Sequence, residues 1–107
     1  MPALQFRGVF VPSIIAGRKT QTIRAKLGPG FVAGRNLRLQ NGYHRLSHVG
    51  DAVIADVTQK SVDALSQQDA ELDGFESLAT LRVALEATYP GQSTVWLVRW
   101  RDFIPAR

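Results

Sequence analysis

Hydrophobic positions along this chain follow two rhythms, a period of two that marks strands and a period near 3.6 that marks helices. Ala3 to Phe6 reads as a short opening strand, and Phe10 to Ala16 as a short helix with Pro12 in its first turn and Gly17 as its left-handed end. Thr20 to Arg24 alternates with β-branched residues, so a strand is expected there. Its parity places Thr20, Thr22 and Arg24 on one face and Gln21 and Ile23 on the other. Lys26 to Asn36, rich in Gly and Pro, is a loop, Leu37 to Gln40 a strand, and Asn41-Gly42 a tight turn into Tyr43. Ala52 to Thr58 predicts a strand with Val53, Ala55 and Val57 opposite Ile54 and Asp56. Ser66 caps a short helix through Leu72 that Asp73-Gly74 breaks. A second helix is expected from Glu76 or Ser77 to Thr88, with Leu78, Leu81 and Leu85 as its core stripe and Tyr89-Pro90-Gly91 as its stop. Ser93 to Phe103 is the clearest strand, with Trp96, Val98 and Trp100 on one face and Arg99 and Arg101 on the other.

About five or six strands and two or three helices, without the strand-helix alternation and glycine pattern of a nucleotide-binding parallel sheet, predict an α+β fold. The expectation is a small, mixed, mostly antiparallel barrel with helices packed on it. A length of 107 residues suits a single domain over 1–107. No apolar run approaches a membrane span, and Met1 to Arg7 lacks the order of a secretory signal, so no membrane partner and a cytoplasmic setting are expected. The absence of cysteine rules out disulfides and thiolate metal sites.

Charge is divided unevenly. Residues 1–50 carry six Arg and two Lys with no acidic residue, whereas residues 51–107 carry five cations and nine carboxylates. A cationic half of this kind attracts phosphates or RNA. Its densest part, Gly17-Arg18-Lys19-Thr20-Gln21-Thr22-Ile23-Arg24, also contains a possible base and nucleophile in Lys19 and Thr22. A threonine hydroxyl needs a base to remove its proton, and a lysine serves only when its own pKa is lowered by about three units. Arg18, Arg24 and partial burial push in that direction. Parity separates Lys19 from Thr22 in a continuous strand, so the two meet only if Lys19 lies in a turn or a bulge. A carboxylate at such a site would serve by proton shuttling or substrate binding rather than by pairing tightly with Lys19. His44 and His48, four apart in a region that does not read as helix, are taken as loop histidines rather than metal ligands, and no metal or cofactor is expected.

The segment Phe10 to Arg24, with its Ile-Ala-Gly-Arg-Lys-Thr-Gln-Thr-Ile-Arg core, resembles the Gly-x-Lys-x-x-Thr-x-Arg signature of the ASCH domain. Leu65 to Phe75, Leu78 to Gln92 with its closing Tyr-Pro-Gly-Gln, and Trp96 to Trp100 resemble the helical segment and last strand of small bacterial members that hydrolyse N4-acetylcytidine. The resemblance implies a PUA-like barrel and a Lys, Thr and Glu mechanism, with Lys19 as base and Thr22 as nucleophile. The glutamate does not transfer directly: Asp73 is the nearer match and Glu71 the alternative. Acyl transfer through Thr22 and direct attack by water both fit. Arg24 would grip the base carbonyl or the oxyanion, and Phe6, Tyr43 or Phe75 would stack on the ring. The expected function is metal-independent deacylation of N4-acylated cytidine, a modified nucleoside. The alternatives are an RNA-binding module of the same fold and a metal-assisted ribonuclease.

Overall fold

The computed structural model describes residues 1–42 and 47–106. Five strands, β1 (Ala3–Phe6), β2 (Gln21–Arg24), β3 (Asn36–Asn41), β4 (Ser47–Ser61) and β5 (Thr94–Pro105), form one sheet in the order β1-β3-β4-β5-β2. All pairings are antiparallel except β1 on β3. The sheet curls into a half-barrel whose edges are β1 and β2. Arg24 Nη2 donates to the Gln5 carbonyl at 2.7 Å, joining the two edges across the open seam. Helices α1 (Val11–Ile15), α2 (Gln67–Leu72) and α3 (Leu78–Thr88) are the α-helices among the described residues, with 3-10 turns at Gly8–Phe10 and Val62–Ala64. None is long and apolar enough to cross a membrane.

The helices begin where side-chain chemistry satisfies their free N–H groups. Ser66 and Asp69 form a reciprocal capping box at the start of α2, and Ser77 and Thr80 form one at the start of α3. On α3, Leu81 and Leu85 are buried and Leu78 packs beside them, as their spacing predicts.

Two cores result. Leu4, Phe6, Ile14, Leu37, Leu39, Ile54, Val98 and Trp100 fill the inside of the curl. Ile23, Leu65, Ala70, Leu81, Leu85, Val95 and Leu97 form a second core, shared by α2, α3 and the β2–β5 end of the sheet. Val95 to Val98 therefore buries both faces of β5, and the simple division into an apolar and a cationic face holds only over Arg99 to Arg101. Packing of α2 and α3 over the outer face is what overrides the alternation. Strand β4 also departs from its pattern. It runs for 15 residues, well beyond Ala52 to Thr58, and its pairing with β5 shifts register between Asp51 and Val53 and again between Ile54 and Asp56. An extra residue reverses parity. Val57 accordingly packs on the same core as Ile54, where an unbroken strand would set them on opposite faces.

Candidate functional site at the sheet seam

Site geometry starts with the turn between α1 and β2. Pro12 opens α1, Gly17 closes it at φ 78°, and the N–H groups of Arg18 and Lys19 both reach the Ser13 carbonyl, at 2.9 and 3.1 Å. Thr20 N–H then donates to Leu72 O at 2.8 Å, tying the turn to the end of α2. This folds Lys19 inward, before β2 begins, which meets the condition that parity set for its sharing a site with Thr22. Arg18, by contrast, is exposed and is not part of the site.

Lys19 is 2% exposed and Asp73 5%. The Lys19 ammonium donates to Asp73 Oδ1, to the Asp73 carbonyl at 2.8 Å and to the Gln21 carbonyl at 3.0 Å, which engages every N–H that it has. The carboxylate thus pairs directly with Lys19, contrary to the expectation that it would stand apart. The reason is burial: an isolated charge of either sign at this depth is far costlier than the pair. Burial lowers the Lys19 pKa from its usual value, with Asp73 opposing and Arg24 adding a small push in the same direction. Burial also raises Asp73 to about 6, although Lys19 and Arg24 pull it back. The two groups are therefore drawn toward each other in proton affinity, the condition under which a proton moves readily between them.

Asp73 ends α2, and Gly74 follows at φ 87°, a left-handed conformation that costs an L side chain energy. A Cβ on Gly74 would also lie 3.4 Å from Lys19 Cβ. Gly74→Ala is expected to lower stability by about 1–2 kcal/mol, measurable by urea unfolding. A change below about 0.5 kcal/mol would mean that the helix end relaxes without disturbing Lys19.

Behind the pair lies a polar strut. Asp69, buried one turn before Asp73, accepts from Lys60 Nζ at 2.9 Å, from Ser66 N–H at 3.0 Å and from the Gln21 side-chain amide at 3.4 Å. Its burial raises its pKa, but hydrogen bonds from Lys60, Ser66 and Gln21 outweigh that effect and hold it below the usual carboxylate value. Gln21 thereby has its side chain anchored to α2 while its carbonyl receives Lys19.

Thr22 is 4% exposed, and its Oγ1 accepts from Arg24 Nε at 3.1 Å. The Arg24 guanidinium stands 5.1 Å from the Phe6 ring centroid, and Lys19 Nζ lies 5.6 Å from Phe6 and 5.0 Å from Phe10. All of these groups line one cavity of about 280 Å³ between the seam and α3. Phe10, Phe75 and Tyr89 form its aromatic wall, Leu81, Ala84 and Leu85 its apolar side.

Lys19, Thr22, Asp73, Arg24, Phe6 and Phe75 are therefore gathered in one place. Glu71 is not: it is exposed, off the cavity, with its carboxylate 3.4 Å from the Gln67 amide. Tyr43 and His44 lie outside the described residues. His48 is on β4, 3.1 Å from Asp51 and away from the cavity. Among the described residues no three His, Asp or Glu side chains gather as a metal-binding group. Sequence reasoning passed over Phe10 and Tyr89, assigned to a helix start and a helix stop. Phe10 opens the segment that resembles the ASCH signature and Tyr89 opens the Tyr-Pro-Gly-Gln close of α3, and those places were the available signal.

No protein-family model matches the chain. It is 33% identical over 92 residues to N(4)-acetylcytidine amidohydrolase from Haemophilus influenzae strain PittEE, covering 86% of each chain. Its fold is shared with the crystal structure of ASCH from Zymomonas mobilis, at a TM-score of 0.80 and 16% identity over 98% of this chain and 69% of that one. The ASCH domain from Lactobacillus crispatus JV V101 superposes with a TM-score of 0.76 at 15% identity, covering 98% of this chain and 80% of that one.

Proposed function

The chain belongs to the ASCH-domain family of N(4)-acetylcytidine amidohydrolases, and on that premise we propose that it releases the acyl group from N4-acylated cytidine by way of Lys19, Thr22 and Asp73. The observation that carries this reading is the convergence of a buried lysine–carboxylate pair, a buried hydroxyl and an arginine on one aromatic-walled cavity.

The proposed chemistry uses the Lys19–Asp73 and Arg24–Thr22 hydrogen bonds. It requires Lys19 Nζ, which makes no hydrogen bond to Thr22 Oγ1 in the structure, to turn toward that hydroxyl when substrate binds. With one proton shared across the pair, its transfer to Asp73 leaves Lys19 as a neutral amine. Lys19 then accepts the Thr22 hydroxyl proton as Thr22 Oγ1 bonds to the acyl carbon, and the carbonyl electrons move to oxygen. Arg24, already donating to Thr22 Oγ1, has further N–H groups for that oxyanion. On collapse the C–N4 bond breaks, and N4 takes a proton from Asp73, leaving cytidine and an acyl-threonine ester. Water attacks the ester, giving one proton to the carboxylate. The Thr22 oxygen leaves with a proton from Lys19, and the carboxylic acid product releases its proton to solvent. Phe10, Phe75 and Tyr89 offer faces for the pyrimidine ring.

Rate should follow the protonation of the pair. Below about pH 6 Asp73 holds a second proton, Lys19 has no group to which it can pass its own, and kcat/KM falls as pH falls. On the alkaline side the pair loses its shared proton below the ordinary lysine value of 10.5, and the rate falls again for want of an acid. A bell-shaped profile with its acid limb near 6 is the expected result, and Asp73→Asn should abolish that limb along with most activity. A flat profile through that region would remove Asp73 from the mechanism.

The direct test is to follow the ultraviolet change of N4-acetylcytidine with purified protein in EDTA. Turnover that disappears in the site variants supports the hydrolase. An inert protein that binds RNA with steep salt dependence would instead make the domain a binding module.

A further inference from the structure

From the distribution of charge around the cavity we infer a phosphate-binding subsite at Arg7, which makes a 5′-phosphorylated cytidine, rather than the bare nucleoside, the better-held ligand. The orientation of the ring rests on the proposed function. The acyl group on N4 must reach Thr22 and Lys19, both almost fully buried at the cavity floor. N4 and the glycosidic nitrogen lie at opposite ends of a pyrimidine ring, so the ribose is directed away from the floor. Its 5′ carbon comes still nearer the mouth.

At the mouth the lining residues that are exposed are Arg7, Ala87 and Thr88, of which Arg7 alone carries charge. Arg7 directly follows β1 and precedes the 3-10 turn Gly8–Phe10, so its backbone is held by the sheet edge while its side chain reaches solvent. Among the described residues it enters no ion pair. The remaining charges on the lining are Lys19, Asp73 and Arg24. Lys19 and Asp73 neutralise each other whichever holds the shared proton, so Arg7 and Arg24 leave the cavity positive overall. No unpaired carboxylate on the lining would repel an anion. A guanidinium at an open rim matches a phosphate with two parallel N–H donors, a geometry that the uncharged ribose hydroxyls cannot exploit equally.

A free mononucleotide and a strand of RNA present the same anion here, and the test separates them. Binding of cytidine, cytidine 5′-monophosphate and a short oligocytidylate is measured by calorimetry for the wild type and Arg7→Ala, at low and moderate salt. None of these measurements depends on turnover. The monophosphate should bind roughly tenfold tighter than cytidine at low salt, and the ratio should fall close to one in Arg7→Ala. A shallow salt slope, with the oligonucleotide no tighter than the monophosphate, identifies the mononucleotide as the source. A steep slope with tighter oligonucleotide binding identifies a strand phosphate. Equal affinity for cytidine and its monophosphate, or a preference unchanged in Arg7→Ala, would overturn the subsite. Parallel kcat/KM values for N4-acetylcytidine and its 5′-monophosphate separate the two claims. Turnover without phosphate preference discards the subsite and keeps the hydrolase, and phosphate preference in binding without turnover does the reverse.

Discussion

Lys19→Met reduces hydrolysis of N4-acetylcytidine by at least about 10³-fold and also destabilises the protein by about 3–5 kcal/mol. The two losses have separate causes. Methionine fills much of the lysine volume but cannot accept the Thr22 proton. It also leaves the Asp73 carboxyl and the carbonyls of Gln21 and Asp73 without the donor that satisfied them. Asp73, already raised to about 6 by burial, will then hold its proton to still higher pH. Pairing the change with Asp73→Leu tests this division. An apolar pair in place of a buried ion pair recovers much of the stability, and activity stays absent. If the single variant retained even a tenth of wild-type activity in a folded state, Lys19 would not be the base.

Thr22→Val is the second large effect. The substitution keeps the shape and removes one oxygen, so the fold should lose only about 1 kcal/mol, chiefly from the Arg24 Nε donor that pointed at it. If Thr22 forms the acyl intermediate, activity falls by roughly 10³-fold or more, Thr22→Ser restores part of it, and mass spectrometry of a quenched reaction finds acetyl on the Thr22 peptide. If water attacks directly, Thr22→Val keeps activity within about tenfold and no adduct forms. Because Thr22→Val should fold, it also separates loss of chemistry from loss of structure, which Lys19→Met alone does not.

These variants rest on features that were legible to different degrees. Pro12, Gly17, Ser66, Ser77 and Gly74 announce helix starts and stops through local geometry, and the structure has helix ends at those positions. The Gly-Arg-Lys-Thr-Gln-Thr-Ile-Arg segment was recognisable because its residue types and spacing sit in one short stretch. Asp73 was harder. It is 54 residues from Lys19, and the resemblance makes it only the nearer match, with Glu71 two positions earlier as the alternative. The end of α2 against the Lys19 turn places Asp73 inward beside Lys19 and leaves Glu71 in solvent.

What the sequence settles by itself is everything set by neighbours along the chain: caps, breaks, the leucine stripe of α3, the last strand, read as Ser93 to Phe103 and found at Thr94–Pro105, and the excess of cations in the first half. The tertiary structure alone decides three things. A bulge in β4 between Ile54 and Asp56 puts Val57 on the same side as Ile54, because one extra residue reverses a period of two. Helices over β5 bury Leu97 while Val98 is buried in the other core, because the Val95 and Leu97 end of the face that carries Arg99 and Arg101 lies under another element and is kept from water. And Lys19 meets Asp73 as a pair, because two charges that share a dry interior must neutralise each other whatever their distance in sequence.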